Sequence, residues 1–131
     1  MSRVMHFEIQ ADDVERAKAF YTAAFGWSFE DYSEFTGSTY WGVVTGPEDE
    51  PGINGGLLPR TAPAPEAGRG LNGFACTIVI SDYDETERRI LDAGGRVALP
   101  KTALPGMAWQ GYYLDPEGNT FGIHQPDTDA S

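Results

Sequence analysis

The feature that most constrains this chain is that its pattern starts twice. "VMHFEIQ" alternates, with Met5, Phe7 and Ile9 on one side and His6, Glu8 and Gln10 on the other, as a half-buried strand does. "ADDVERAKAFYTAAFG" follows. Asp12 is read as its N-cap with Glu15 three residues on, Val14, Ala17, Phe20, Tyr21 and Ala24 recur at helical spacing, and Gly26 stops it. Three short strands are expected around "WSFEDYS", "TYWGVVT" and "INGGLLP". The order then begins again with "GFACTIVI" as a strand and "SDYDETERRILDAGG" as a helix capped by Asp82 and Glu85. Ile90 and Leu91 stand 70 residues after Phe20 and Tyr21. Strands at "RVAL", "AWQGYYL" and "TFGIHQ" complete the second half, and Asp115 to Asn119 supplies the turn between the last two.

Each half therefore reads β-α-β-β-β. One such unit leaves a sheet face uncovered, so two are expected to pair, with helices outside and a mostly antiparallel sheet curved into a cup. The fold class is α+β. The expected boundaries are a first module at 1–60, a linker at 61–72, a second module at 73–126 and a tail at 127–131. The linker rests on "PRTAPAPEAGRGLN", which has no hydrophobic periodicity and is rich in Pro, Ala and Gly. The glycines from 68 to 73 belong to it and do not form a nucleotide loop.

A chain of 131 residues falls in the size range of one domain, and 40% hydrophobic with 22% charged residues is a globular composition. The opening "MSRVMHFEIQ" lacks the basic and apolar regions of a signal peptide, no apolar run has the length of a membrane span, and the single cysteine allows no internal disulfide. A cytoplasmic protein is expected, without membrane contact. Its net charge of −11 repels phosphate backbones, so no nucleic acid is expected among its partners. Cys76, among apolar neighbours, reads as a packed and inert thiol.

Four stretches carry a resemblance to a known family: "HFEIQADDVERAKAFYTAAFGW", "GINGGLLPR", "ISDYDETERRILDAGGRV" and "YYLDPEGNTFGIHQ". In this order and spacing the chain resembles the vicinal-oxygen-chelate superfamily, the group of glyoxalase I, bleomycin-resistance proteins and extradiol dioxygenases. The resemblance covers nearly the whole chain. It implies a divalent metal on the cup floor held by four side chains. His6 matches the first position; the second falls on Gly55 or Gly56, the third on Ala75 or Cys76, and the fourth on Gly122, where a metal-binding member carries Glu. A first-row metal needs several imidazole or carboxylate groups converging at about 2.0–2.2 Å. One match in four does not make that site, so no metal or other cofactor is expected. A shifted set of His6, Glu8 and His124 is the other arrangement with ligand-type side chains. Isolated imidazoles on strands are, however, more often hydrogen-bonded pocket or core groups.

What remains for a cup is aromatic and polar: Tyr40 and Trp41 on one strand, Trp109, Tyr112 and Tyr113 on another. Alternation puts half of them inward without saying which half. The expected ligand-binding residues are His6, Glu8, Trp41, Trp109, Tyr113 and His124, with a buried imidazole beside a carboxylate as polar anchor. The function these imply, by resemblance to the antibiotic-sequestering branch, is metal-independent binding of a small molecule, cationic or aromatic, by a homodimer. A lyase or isomerase of the glyoxalase type, metal-free or using the shifted site, is the alternative enzyme reading. A pocketless interaction protein that kept only the fold is the third.

Overall fold

In the computed structural model the residues described are 3–64, 66 and 74–131. They fall in two compact units, 1–64 and 65–131. Most of the expected linker, residues 65 and 67–72, lies outside the described residues, as does the rest of the glycine-containing stretch up to 73.

The first unit runs β1 (Phe7–Ala11), α1 (Val14–Phe25), β2 (Ser28–Asp31), α2 (Ser33–Thr36), β3 (Trp41–Val44) and β4 (Gly55–Pro59). Its sheet has the order β1-β4-β3-β2. The second runs β5 (Cys76–Val79), α3 (Tyr83–Asp92), β6 (Arg96–Leu104), β7 (Ala108–Leu114) and β8 (Thr120–Pro126), ordered β5-β8-β7-β6. Both sheets are mixed. The first strand of each unit runs parallel to the last, and the remaining pairs are antiparallel. The chain is α+β, and each unit is the expected βαβββ, with α2 as one short extra helix in the first.

The helices start and stop where their caps dictate. The α1 N-cap is Asp13, one residue beyond the expected Asp12: its carboxylate accepts from the Arg16 amide at 3.0 Å, while Asp12 pairs with Arg60 instead. Gly26 ends α1 in the left-handed region at φ 75°, a conformation that costs a residue with a Cβ about 1–2 kcal/mol. Asp82 caps α3 as expected, accepting from the Glu85 amide at 3.1 Å. In the turn before β8 the Asp115 carboxylate accepts from the amides of Glu117 and Asn119, which turns the chain around Gly118 at φ 82°.

Under α1 lies an apolar layer. Ala17, Phe20, Tyr21 and Ala24 from the helix and Ile9, Ala11, Val43 and Leu57 from the strands are all buried. Each large side chain here contributes roughly 1.5–3 kcal/mol by leaving water. Under α3, Tyr83, Ile90, Tyr113, Phe121 and Ile123 are buried. Leu91, which occupies the place of the buried Tyr21 in the repeat, is instead exposed. Cys76 is exposed too, contrary to its expected packing, because β5 is the edge strand of its sheet.

Candidate functional site

Strand register decides which side chains share a face. Across the first sheet, Ile9, Leu57 and Trp41 form one row, and Phe7, Gly55 and Val43 another; these are the rows against α1. Glu8, Gly56, Gly42 and Glu30 form the row on the opposite face. In the second sheet Cys76, Phe121 and Tyr113 lie on the helix side, as do Ile78, Ile123 and Gly111. Thr77, Gly122 and Tyr112, and then Val79, His124 and Gln110, lie opposite.

The three expected aromatics all fall on the helix sides. Trp41 lies in the row of Ile9 and Leu57, and the Lys18 ammonium from α1 sits 3.3 Å from its ring centroid. Trp109 donates from Nε1 to Asp127 at 3.1 Å and takes Lys101 over its ring at 4.7 Å. Its strand partner Gln125 accepts from the first backbone amide of α3. Tyr113 is fully buried, with its hydroxyl 2.5 Å from the Glu87 carboxylate and 2.8 Å from the Tyr83 hydroxyl. A carboxylate only accepts, so Tyr113 donates to Glu87 and serves as acceptor for Tyr83. Burial first, then that hydrogen bond, lifts the Tyr113 hydroxyl far above the ordinary phenol range. Trp41 and Tyr113 therefore tie helices to sheets, while Trp109 is held on the same side by Asp127 and Lys101. Each is one residue out of phase with the opposite face.

His6, Glu8 and His124 do lie on the opposite faces, as alternation from Phe7, Ile9, Phe121 and Ile123 requires. In the first unit Tyr40 joins the first two: its hydroxyl donates to Glu8 Oε2 at 2.9 Å and stands 3.2 Å from His6 Nε2, which is itself 3.5 Å from Glu8 Oε2. Partial burial, then the Glu8 carboxylate, raises the Tyr40 pKa and keeps that proton on the phenol. The His6 and Glu8 side chains are 52% and 44% exposed, so the expected buried anchor is a half-exposed one. In the second unit His124 Nδ1 lies 2.7 Å from Gln110 Oε1 and is partly buried.

Two glycines make room for these groups. A Cβ on Gly56 would collide with the Tyr40 hydroxyl. A Cβ on Gly122 would stand 2.9 Å from Gln110 Nε2, 3.0 Å from the Tyr112 ring and 3.1 Å from Thr77 Oγ1. A third, Gly42, leaves space for the Tyr32 ring, whose hydroxyl donates to Glu30. Tyr40, Tyr32, Tyr112 and Gln110 were not among the expected site residues. The signal for two of them was adjacency, since Tyr40 precedes Trp41 and Tyr112 precedes Tyr113. For a metal, Gly55, Gly56 and Gly122 offer no side chain, and Cys76 lies on the helix-side row of its sheet. Among the described residues no three or more His, Cys, Asp or Glu groups come together as a metal ion requires. Nor is any described helix long and apolar enough to cross a membrane.

The comparisons with known proteins agree with this architecture. The family model described as bleomycin resistance protein-like N-terminal matches residues 3–46, most of the first unit. A protein named as a glyoxylase, CFP32, from Mycobacterium bovis is 28% identical over 120 residues, and the same protein of Mycobacterium tuberculosis matches equally. That match takes in 90% of this chain and 43% of the relative, so the chain spans less than half the length of the curated relatives it matches. Among solved structures, TnmS3, an antibiotic-binding protein from a Streptomyces species, is 26% identical with a TM-score of 0.68, over 97% of this chain and 98% of that one. The fosfomycin resistance protein FosX of Listeria monocytogenes shares the fold with a TM-score of 0.72 at 18% identity, over 95% and 93% of the two chains. Together with two βαβββ units of matching strand order, these likenesses support the vicinal-oxygen-chelate superfamily of glyoxalases, bleomycin-resistance proteins and dioxygenases as the group this chain resembles.

Proposed function

We propose that this protein binds a small organic molecule on a sheet face opposite a helix and does so without the superfamily's metal. The observation that carries the reading is the pair of glycines at 56 and 122. Where a metal-binding member would project ligands, this chain projects none, and the space goes to the hydroxyl of Tyr40 and the amide of Gln110. What is left on the two faces is a set of hydrogen-bonding groups beside tyrosine rings: His6, Glu8, Tyr40 and Tyr32 in one unit, His124, Gln110 and Tyr112 in the other. Such groups orient a ligand whose apolar body rests on the rings. The antibiotic-binding relative makes an antibiotic a reasonable first ligand to try.

A thermal-shift screen over cationic antibiotics, thiols and ketoaldehydes, followed by calorimetry on any hit, tests this directly. A ligand whose affinity falls at least tenfold in Tyr40→Phe or Glu8→Ala, with no stoichiometric metal found by elemental analysis, is the expected result. One equivalent of a transition metal, lost in His6→Ala, would overturn the metal-free reading.

A second reading has its own observation. The chain of contacts from Glu8 through Tyr40 to His6 orients an imidazole, as a general base requires. Turnover of a ketoaldehyde by the metal-free protein, abolished in His6→Ala, would favour a lyase or isomerase. A screen with no ligand and no turnover would leave the interaction-protein reading. The homodimer belongs to the same proposal: Val97, Leu99, Leu104 and Met107, on and just after edge strand β6, are exposed apolar groups that a second copy would cover. Sedimentation as a monomer at micromolar concentration would remove it.

A further inference from the structure

Gly56 and Gly122 each seat a polar tip, but the two tips are engaged differently. On the face of the first unit both tyrosine protons are already spent on carboxylates, that of Tyr40 on Glu8 and that of Tyr32 on Glu30. On the face of the second unit donors are left over. Gln110 uses its carbonyl oxygen to accept from His124 Nδ1 at 2.7 Å, and among the described residues nothing engages its Nε2. The same holds for the hydroxyls of Thr77 and Tyr112 and for His124 Nε2.

These groups gather around one point. A Cβ on Gly122 would stand 2.9 Å from Gln110 Nε2, 3.0 Å from the Tyr112 ring and 3.1 Å from Thr77 Oγ1. The bare backbone of Gly122 thus lets an amide, an aromatic ring and a hydroxyl converge over it. In the adjoining row His124 lies between Gln110 and Val79, an apolar side chain that is exposed.

The chemistry of the set is selective. Gln110 Nε2 can only donate. A carbonyl oxygen can only accept, so His124 carries its proton on Nδ1 and offers Nε2 as an acceptor. The two rows from β5 to β7, Thr77 with Gly122 and Tyr112 and Val79 with His124 and Gln110, hold no charged side chain. Arg96 lies in a further row, on edge strand β6 opposite Leu114. An ion seated over Gly122 would give up water without gaining a counter-charge from either row.

We infer that the second unit's face binds a neutral molecule bearing a carboxamide. Its carbonyl oxygen accepts from Gln110 Nε2, its N–H donates to His124 Nε2, and its apolar body lies against the Tyr112 ring and Val79. This rests on the reading that a sheet face of the protein binds a small molecule, and it gives one face a ligand class.

Benzamide, benzoate and benzamidinium share a shape and differ in charge and in their donors and acceptors. The protein has only two histidines, so long-range 1H–15N spectra of the imidazoles resolve both rings. At pH 8, where an ordinary imidazole is neutral, His124 is expected as the Nδ1–H tautomer, and benzamide should move its signals and not those of His6. Benzoate leaves His124 Nε2 without a donor and benzamidinium leaves Gln110 Nε2 without an acceptor, so each should bind about tenfold more weakly. Gln110→Glu keeps an acceptor for His124 and replaces the Nε2 donor with a second acceptor. That variant should bring benzamidinium ahead of benzamide, a reversal that a damaged fold would not produce. Benzoate binding best would reassign the face to anions drawn by Arg96, overturning the carboxamide and leaving small-molecule binding in place. An Nε2–H tautomer at His124, or His124 signals that none of the three probes moves, would also overturn the inference. The binding function itself falls only if the wider ligand screen finds nothing as well.

Discussion

The two units share strand order and the position of a central glycine, yet they fasten their helices to their sheets by different chemistry. Under α1 the contact is apolar: Phe20, Tyr21 and two alanines meet Ile9, Val43 and Leu57, and the Tyr21 and Trp27 rings stack at 5.0 Å. Under α3 a polar chain lies among the apolar residues, running from the buried Tyr83 and Tyr113 to the half-buried Glu87. On the opposite faces the contrast continues, with carboxylates and tyrosines in the first unit and an amide, an imidazole and a threonine in the second. What the backbone repeats is the seat; what the side chains place on it differs from one unit to the other. Apolar contact is lost gradually with volume, whereas a buried polar chain fails at once when a partner is removed.

Truncating each interface tests that difference, and the largest effect is expected in the first unit. Phe20→Ala should destabilise the protein by about 3–5 kcal/mol, as a cavity under a helix does. Tyr113→Phe removes one oxygen and should still cost about 1–3 kcal/mol, because the Glu87 carboxylate and the Tyr83 hydroxyl lose their partner. The two also differ in their response to pH. A phenol whose folded pKa is raised contributes stability that is complete below its unfolded value, about 10, and is lost as pH rises beyond it. Denaturation curves should fall in midpoint above about pH 10. In Tyr113→Phe that fall should be shallower, whereas Phe20→Ala should lower the curve and keep its slope. Equal slopes in all three proteins would show that the buried phenol is not what couples this fold to alkali.

The glycines sharpen the comparison at a smaller scale. A Cβ on Gly55 would meet the backbone oxygen and the ring of Phe7 on the helix side, where neither can retreat. Gly55→Ala should therefore cost roughly 1–3 kcal/mol by overpacking. Gly56→Ala meets only the end of the Tyr40 side chain, which can swing outward; the cost is then the lost hydrogen bonds, about 0.5–1.5 kcal/mol. Gly122→Ala should be milder than Gly56→Ala, because its neighbours at 2.9–3.1 Å need to give by only tenths of an ångström. Equilibrium unfolding of the three variants gives the ranking directly, and Gly122→Ala emerging as the costliest would show that the two seats are not equivalent.

These glycines also mark where the sequence stopped being legible. The helices could be read because capping leaves local signals: Asp82, Gly26 and the apolar spacing of Phe20 and Ile90 all lie within one turn of what they determine. The faces of β3 and β7 could not. Tyr40 with Trp41, and Tyr112 with Tyr113, put bulky aromatics at consecutive positions, so a period of two has no phase there, and the phase comes from partners on other strands. Trp41, Trp109 and Tyr113, expected at the site, lie on the helix sides of their sheets. The face of His6, Glu8 and His124 could be read because Phe7, Ile9, Phe121 and Ile123 flank them and make the alternation unambiguous. Tyr32 had no such neighbour, since it lies just before α2 and reaches Gly42 from outside any strand.

The smallest effect is expected on the surface of α3, in the most conspicuous charge cluster of the molecule. Arg88 reaches Glu85 with two nitrogens and Asp92 with a third contact at 2.8 Å, while Arg89 reaches Glu85 at 3.2 Å. The hydrogen bond from Arg88, ahead of the Coulombic attraction of both arginines, holds the Glu85 carboxyl down at about 2. A depressed carboxyl pKa contributes stability above its unfolded value of about 4.3 that is lost as pH falls toward the folded one. Around the buried Tyr113 such a shift carries more weight, but here water and salt surround both partners and screen the attraction. Arg88→Ala should thus leave the neutral-pH unfolding midpoint within error of the parent, and any difference that develops below about pH 4 should shrink as salt is added. A loss at neutral pH as large as that of Tyr113→Phe would mean that α3 is held from its outer surface, and the contrast between a buried polar chain and an exposed one would have to be abandoned.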